Sequence, residues 1–240
     1  MGPRIGMALA MVLLLASGCN PIYAPPLRGY QYGAPGRMKE GDVELSGTVG
    51  GVLLPTVGGP RVGVAIRDWV SLGAGGNFAL AQFVDNWAMG YLGPRFTYSS
   101  PRKEMAGFAF DVELGVGGGV GGRCESRCGP GGTDYDGLAW SERLAMGAYQ
   151  GIGIGGRHEF MAYYLRARVD EVTATNVPTT YWPSVGGGLE FDIDHKGAVN
   201  VGGGYLGYYN RHEHNDGWFY QLGGTIYFDA FRPKPHRPAE

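Results

Sequence analysis

From residue 41 onward, apolar and polar residues alternate with a period of two along most of the chain. The pattern is cleanest over residues 108–120. Phe108, Phe110, Val112, Leu114, Val116 and Val120 share one parity, and Asp111, Glu113, Gly115, Gly117 and Gly119 share the other. Residues 217–228 repeat it. Trp218, Tyr220, Leu222, Gly224, Ile226 and Phe228 alternate with Phe219, Gln221, Gly223, Thr225 and Tyr227. Successive side chains of a strand point to opposite faces, so each stretch predicts a strand with one apolar and one mixed face. Similar rows fall within residues 43–53, 62–66, 70–78, 91–98, 138–154, 161–168, 181–193 and 199–209. That makes about ten strands, or eight without the two weakest patterns, the stretch 138–154 and the one interrupted by Pro94.

Short connections are expected near Asp68, Pro101, Arg157 and Lys196. They alternate with longer ones near Thr56, Phe83, Cys124, Ala174 and His214, including polar loops at 121–137, 169–179 and 210–216. About 9–11 residues let a tilted strand cross a bilayer. Short turns on one side, long loops on the other and aromatic residues near the strand ends are marks of outer-membrane barrels. The predicted fold is therefore all-β, an antiparallel up-and-down transmembrane β-barrel over residues 41–231, with a polar tail at 232–240.

Composition agrees with this reading. Glycine supplies 45 of 240 residues, far above an average usage of ~7%. High glycine with few aromatics would suggest disorder, but aromatic residues make up 12% of this chain, interleaved with glycine. In a barrel, glycine relieves crowding inside and lets strands bend. The net charge of −2, with no basic run, argues against nucleic acid as a partner.

The N-terminal region has its own logic. Arg4 precedes an apolar run at 5–15, too short to span a bilayer as a helix. The run ends in Leu15-Ala16-Ser17-Gly18-Cys19. This resembles a bacterial lipoprotein signal, which implies removal of 1–18 and acylation of Cys19, palmitate among its acyl chains. Such chains exceed the two signals that stable anchoring requires. Asn20 is compatible with residence in the outer membrane of a Gram-negative bacterium. An ordinary secretory signal with an incidental cysteine is the alternative. Residues 19–40 hold Pro21, Pro25, Pro26 and Pro35 without apolar periodicity, and read as an extended linker. An even strand number puts both barrel ends on the periplasmic side, where a lipidated Cys19 is expected in the inner leaflet.

On residues 108–120 and 217–228 the chain resembles small outer-membrane barrels of the OmpA/OmpX type, over roughly 41–231. In that family the last strand ends in an aromatic residue read by the barrel-assembly machinery. Phe228, with Ile226, Leu222 and Tyr220 before it, fits that role. The implied partners are outer-membrane lipid, that machinery, and an envelope or cell-surface protein.

The face opposite the apolar one collects Glu44, Arg61, Arg67, Arg95, Asp111, Glu113, Arg166, Arg168 and Glu190. In a narrow lumen such charges should pair, because an unpaired buried charge is costly. The expected lumen is self-neutralised, with a charged pore or a catalytic cluster as alternatives. Cys124 and Cys128 read as a disulfide in an oxidising envelope, since no second ligand pair for zinc lies nearby. His212 and His214, with Glu213 or Asp216, are candidate metal ligands, but two histidines in a polar loop read first as solvated. Asp134, Asp136, Glu142 and His158 are candidate acid–base groups near the mouth, and Ser141 lacks an identifiable histidine partner. The glycine runs are not phosphate loops, because no GK[ST] follows. No cofactor or catalytic residue is assigned. The leading expectation is a lipid-anchored outer-membrane barrel with a structural, adhesion or assembly role through its outer loops. A narrow channel, a rim enzyme acting on lipid or peptide, and a lipid-tethered periplasmic ligand-binding barrel are the alternatives.

Overall fold

The computed structural model describes residues 26–28, 33–51, 57–79, 86–100, 107–122, 144–158, 160–175, 177–193, 196–211 and 214–230. The ordered elements are β1 (Val43–Gly51), β2 (Val57–Arg67), β3 (Val70–Ala79), β4 (Asn86–Ser99), β5 (Gly107–Gly122), β6 (Leu144–His158), β7 (Met161–Ala174), β8 (Val177–Ile193), β9 (Gly197–Tyr209) and β10 (His214–Phe228). Each strand pairs antiparallel with its sequence neighbours. β1 closes on β10, from Val43 opposite Phe228 to Gly51 opposite Tyr220. Closure leaves no open sheet edge, the condition for a sheet to exist in hydrocarbon.

Parity decides which face is which. Leu45, Leu72, Leu92, Leu114, Val116, Ile152, Leu165, Val185, Val201, Leu222 and Ile226 all point outward and are exposed. A belt of this extent far exceeds the apolar patches of water-soluble monomers, and it is satisfied by lipid. Exposed Trp69, Phe96, Tyr98, Phe108, Tyr163, Phe191 and Phe228 ring one end, and Tyr181, Tyr205, Tyr209 and Trp218 ring the other. Two aromatic girdles bracketing an apolar band is the arrangement of transmembrane barrels. A soluble ligand-binding barrel has the opposite polarity, apolar within.

The connections at 68–69, 159–160 and 194–196 are short, and they lie at the end where β1 begins and β10 stops; the one near Pro101, expected to be short, spans 100–106 at the same end. The polar stretch 169–179, expected as a long loop, is instead strand. β7 runs to Ala174 and β8 starts at Val177, leaving only Thr175 and Asn176 between them. Here the code changes because the hairpin rises above the apolar band. Outward positions become polar, with Thr173 hydroxyl 2.9 Å from that of Thr179 and the Tyr181 hydroxyl donating to Glu171 at 3.4 Å, while Val172 and Trp182 turn inward and are buried. Likewise the connection expected at 210–216 narrows to 210–213, since β10 begins at His214. Pro94 is accommodated within β4: it pairs with Leu72 of β3, while the ladder to β5 is interrupted at Gly93 and Pro94.

Barrel diameter grows with strand number, and about eight strands are just filled by their own side chains. Ten strands leave spare room, and inward glycines enlarge it. Gly115 lies under the Tyr149 ring and Gly75 under Tyr91, where an added Cβ would sit 2.4 Å from a Tyr149 ring carbon and 2.4 Å from the Tyr91 hydroxyl. The space is taken by residues 26–28 and 33–42. The proline-rich stretch read as a linker does not hang free of the barrel in its described part but runs up inside it.

Candidate functional site

The site is the lumen and the segment that occupies it. The segment enters at the short-turn end, where the Gly41 amide donates to the Ala65 carbonyl and the Ala65 amide to the Asp42 carbonyl, both at 2.9 Å. Above this mouth, Arg37 lies between β8, β9 and β10. Its Nη1 is 2.5 Å from Asp192 Oδ1 and 3.2 Å from Glu190 Oε1, its Nη2 donates to the Gly197 carbonyl at 3.3 Å, and its guanidinium lies 4.2 Å from the Tyr227 ring centroid. Arg157 of β6 completes this lower cluster, 2.9 Å from Glu190 and 2.7 Å from Asp192.

A second cluster sits deeper. Arg28 Nη1 is 2.5 Å from Glu113 Oε2, and its guanidinium lies 5.1 Å from both the Tyr91 and Tyr149 ring centroids. Those rings meet edge to face, 5.8 Å apart. Glu113 also faces Arg95 at 3.5 Å and Arg166 at 3.6 Å, and Arg166 reaches Asp111 at 2.5 Å. Leu27, fully buried, packs with Met89, Ala145, Val172 and Trp182 above this cluster.

An extended segment inside a barrel has no ladder partner for its backbone, and buried amides and carbonyls must be paired. Wall side chains supply the pairing. The Arg28 amide donates to Asp170 at 3.0 Å and the Ala34 amide to Glu190 at 3.4 Å, while the Gly33 carbonyl accepts from Arg166 Nε at 2.6 Å and the Pro26 carbonyl from Asn77 at 3.4 Å. Proline suits this place because it brings no amide to satisfy. Two glycines let the segment in. Gly36 has φ of +80° and no room for a side chain, since a Cβ there would lie 2.6 Å from that of Ala109. Gly155 faces Pro35, whose ring carbon lies 2.9 Å from where a Cβ would stand.

Among the paired lumen groups of the described strands, six carboxylates (Glu44, Asp111, Glu113, Asp170, Glu190, Asp192) face five arginines (Arg61, Arg95, Arg157, Arg166, Arg168). The wall alone is one negative charge in excess, and that excess lies in the lower cluster, where Arg157 alone of the described wall residues faces Glu190 and Asp192 and Arg37 enters. Arg28 joins a cluster in which Arg95 and Arg166 already face Asp111 and Glu113. Two polar voids beside the segment measure 30 Å³ and 20 Å³, room for about one water each.

Of the charges singled out from sequence, Glu44, Arg61, Arg95, Asp111, Glu113, Arg166, Arg168 and Glu190 face the lumen, with Arg61 paired to Glu44 at 2.8 Å and Arg168 to Asp170 at 2.9 Å. Arg67 does not join them. It ends β2 beyond a register shift after Ala65, stays exposed at the mouth and pairs with Glu40. Sequence reading did not select Arg28, Arg37, Arg157, Asp170 and Asp192. For Asp192 the signal was present, since it shares the inward parity of Glu190. His158 lies at the short-turn end of β6, away from the long-loop rim, and His214 stacks on Tyr209 with ring centroids 6.3 Å apart. Cys19, Cys124, Cys128, Asp134, Asp136, Ser141, Glu142, His212 and Glu213 lie outside the described residues. Among the described residues no three metal-ligating side chains cluster.

No protein-family model matches the sequence, and no curated protein does. Several solved structures resemble the fold, among them these two. The N-terminal β-barrel domain of Pseudomonas aeruginosa OprF shares 14% identity at a TM-score of 0.40, over 80% of this chain and 100% of that one. The outer membrane protease OmpT from Escherichia coli shares 12% identity at a TM-score of 0.30, over 78% of this chain and 95% of that one.

Proposed function

We propose that this protein is a lipid-anchored outer-membrane β-barrel, sealed by its own N-terminal segment, that works through its outer loops in a structural, adhesion or assembly role. The observation that carries the reading is the double arginine lock, Arg28 on Glu113 and Arg37 on Glu190 and Asp192. It supports a sealed lumen over an open channel, because Arg37 supplies the second cation to Glu190 and Asp192, which Arg157 alone of the described wall residues faces, and Arg28 fills the lumen between Glu113 and two tyrosine rings. Fully paired charges also do not favour a catalytic lumen, since general acid–base work needs a group free to exchange its proton. Cys19 is the proposed acylation site and Cys124–Cys128 a proposed disulfide of the longest loop. The test is reconstitution of the folded full-length protein in planar bilayers. Silence at moderate voltage is expected, and current steps from an Arg28→Ala, Arg37→Ala double variant. Steady conductance by the wild-type protein would favour the channel reading instead.

A further inference from the structure

We infer that the chain threads the barrel, so that the residues before Pro26, Cys19 among them, emerge on the outer face of the membrane. The inference rests on the membrane-barrel reading above, and for the fate of the lipid also on acylation of Cys19. β1 starts at the short-turn end, and Arg37 lies close to that end, beside Asp192 one residue from the end of β8. The segment then climbs. Arg28 meets Asp170, four residues from the far end of β7, and the Pro26 carbonyl accepts from Asn77, two residues from the far end of β3. Pro26 is therefore within one turn of the long-loop rim and still heading toward it.

Pro26 lies seven positions after Cys19. Fully extended, that span reaches at most about 25 Å, ample for the near rim. Return to the short-turn side would take a second strand down the lumen, past nine residues of β7 at ~3.3 Å each, about 21–24 Å along the axis at a tilt of about 35–45°, so the free space in the lumen decides. Among the described residues, the voids beside residues 33–38 in the lower lumen measure 30 Å³ and 20 Å³, room there for a water and not for a second pass of peptide. Strand parity alone puts Cys19 beside the inner leaflet; the course of residues 42 to 26 reverses that side. An acyl group on Cys19 would then insert in the outer leaflet, pinning the outward end of the segment while its other end continues into β1. The lipid surface that receives it is the one the outer loops face.

The experiment places one epitope between Asn20 and Pro21 of the full-length protein and, in a second version, one after Asp229. Antibody binding is compared on intact and permeabilised cells. The N-terminal epitope is expected to bind antibody on intact cells at nearly its permeabilised level, and the C-terminal one only after permeabilisation. An N-terminal epitope hidden until permeabilisation would overturn the inference. A heat-shifted band from the same cells shows that the barrel is folded, so failure of the barrel reading is seen separately. Mass analysis of the mature N-terminal peptide decides acylation independently of side. If the epitope blocks folding, Pro21→Cys in a Cys124→Ser, Cys128→Ser background replaces it. Labelling of intact cells by a membrane-impermeant maleimide supports threading, and labelling only after permeabilisation refutes it.

Discussion

Replacing Arg28 by alanine should release the upper half of the lumen segment without unfolding the barrel. Arg28 is 3% exposed, 2.5 Å from Glu113 and in contact with two tyrosine rings. Removing one partner of a buried ion pair costs roughly 3–5 kcal/mol. Here the penalty falls at the low end, because Glu113 keeps Arg95 at 3.5 Å and Arg166 at 3.6 Å. Lost cation–π contact adds about 0.5–1 kcal/mol. A net weakening of about 3.5–4 kcal/mol corresponds to a rise of several hundredfold in the released population. Amide exchange reads this directly, since local opening sets the rate for the segment and global unfolding for the strands. The Arg28 and Ala34 amides, held by Asp170 and Glu190, should exchange several hundred times faster in the variant, while β10 amides keep their protection. Unchanged exchange at both amides would refute the energetic argument. Uniformly faster exchange through the strands would show that Arg28 holds the wall together and not the segment.

Gly36→Ala should also loosen the segment, because φ of +80° costs a Cβ-bearing residue about 1–2 kcal/mol and the methyl would collide with Ala109; the Ala34 amide should exchange at least severalfold faster. Val116→Arg places a charge on the lipid-facing surface, where the penalty is about 2–4 kcal/mol, and should lower the denaturant midpoint of folding into vesicles. Thr173→Arg, outward but above the apolar band, should leave that midpoint nearly unchanged.

The strands were legible where a stretch crosses the whole apolar band. In residues 108–120 and 217–228 every outward position answers to lipid and every inward one to the lumen, so parity alone assigns both faces. The same rule misread 169–179. Above the band, Glu171 and Thr173 face water while Val172 packs inward on Leu27, so the hydrophobic signal changes sides partway along one strand. The lumen charges were legible as a face, because Asp111, Glu113, Arg166 and Arg168 keep the inward parity of their strands. Arg28 and Arg37 were not, because a segment that pairs with no strand carries no period. One trace of it existed in the sequence: the inward rows are rich in glycine, which leaves a ten-stranded lumen underfilled and points to an occupant. The wall's negative excess was not legible, because it emerges only when Arg157, Asp170 and Asp192 join the inward set and Arg67 leaves it.

The account stands on a closed barrel that holds itself in the membrane whether or not Cys19 is acylated. The most direct measurement is a carbonate wash of membranes from cells making Cys19→Ala protein, followed by gel analysis of boiled and unboiled samples. The account predicts a band that resists carbonate and shifts on heating. Release of the variant into the soluble fraction, with no heat shift, would contradict it and indicate a tethered periplasmic domain.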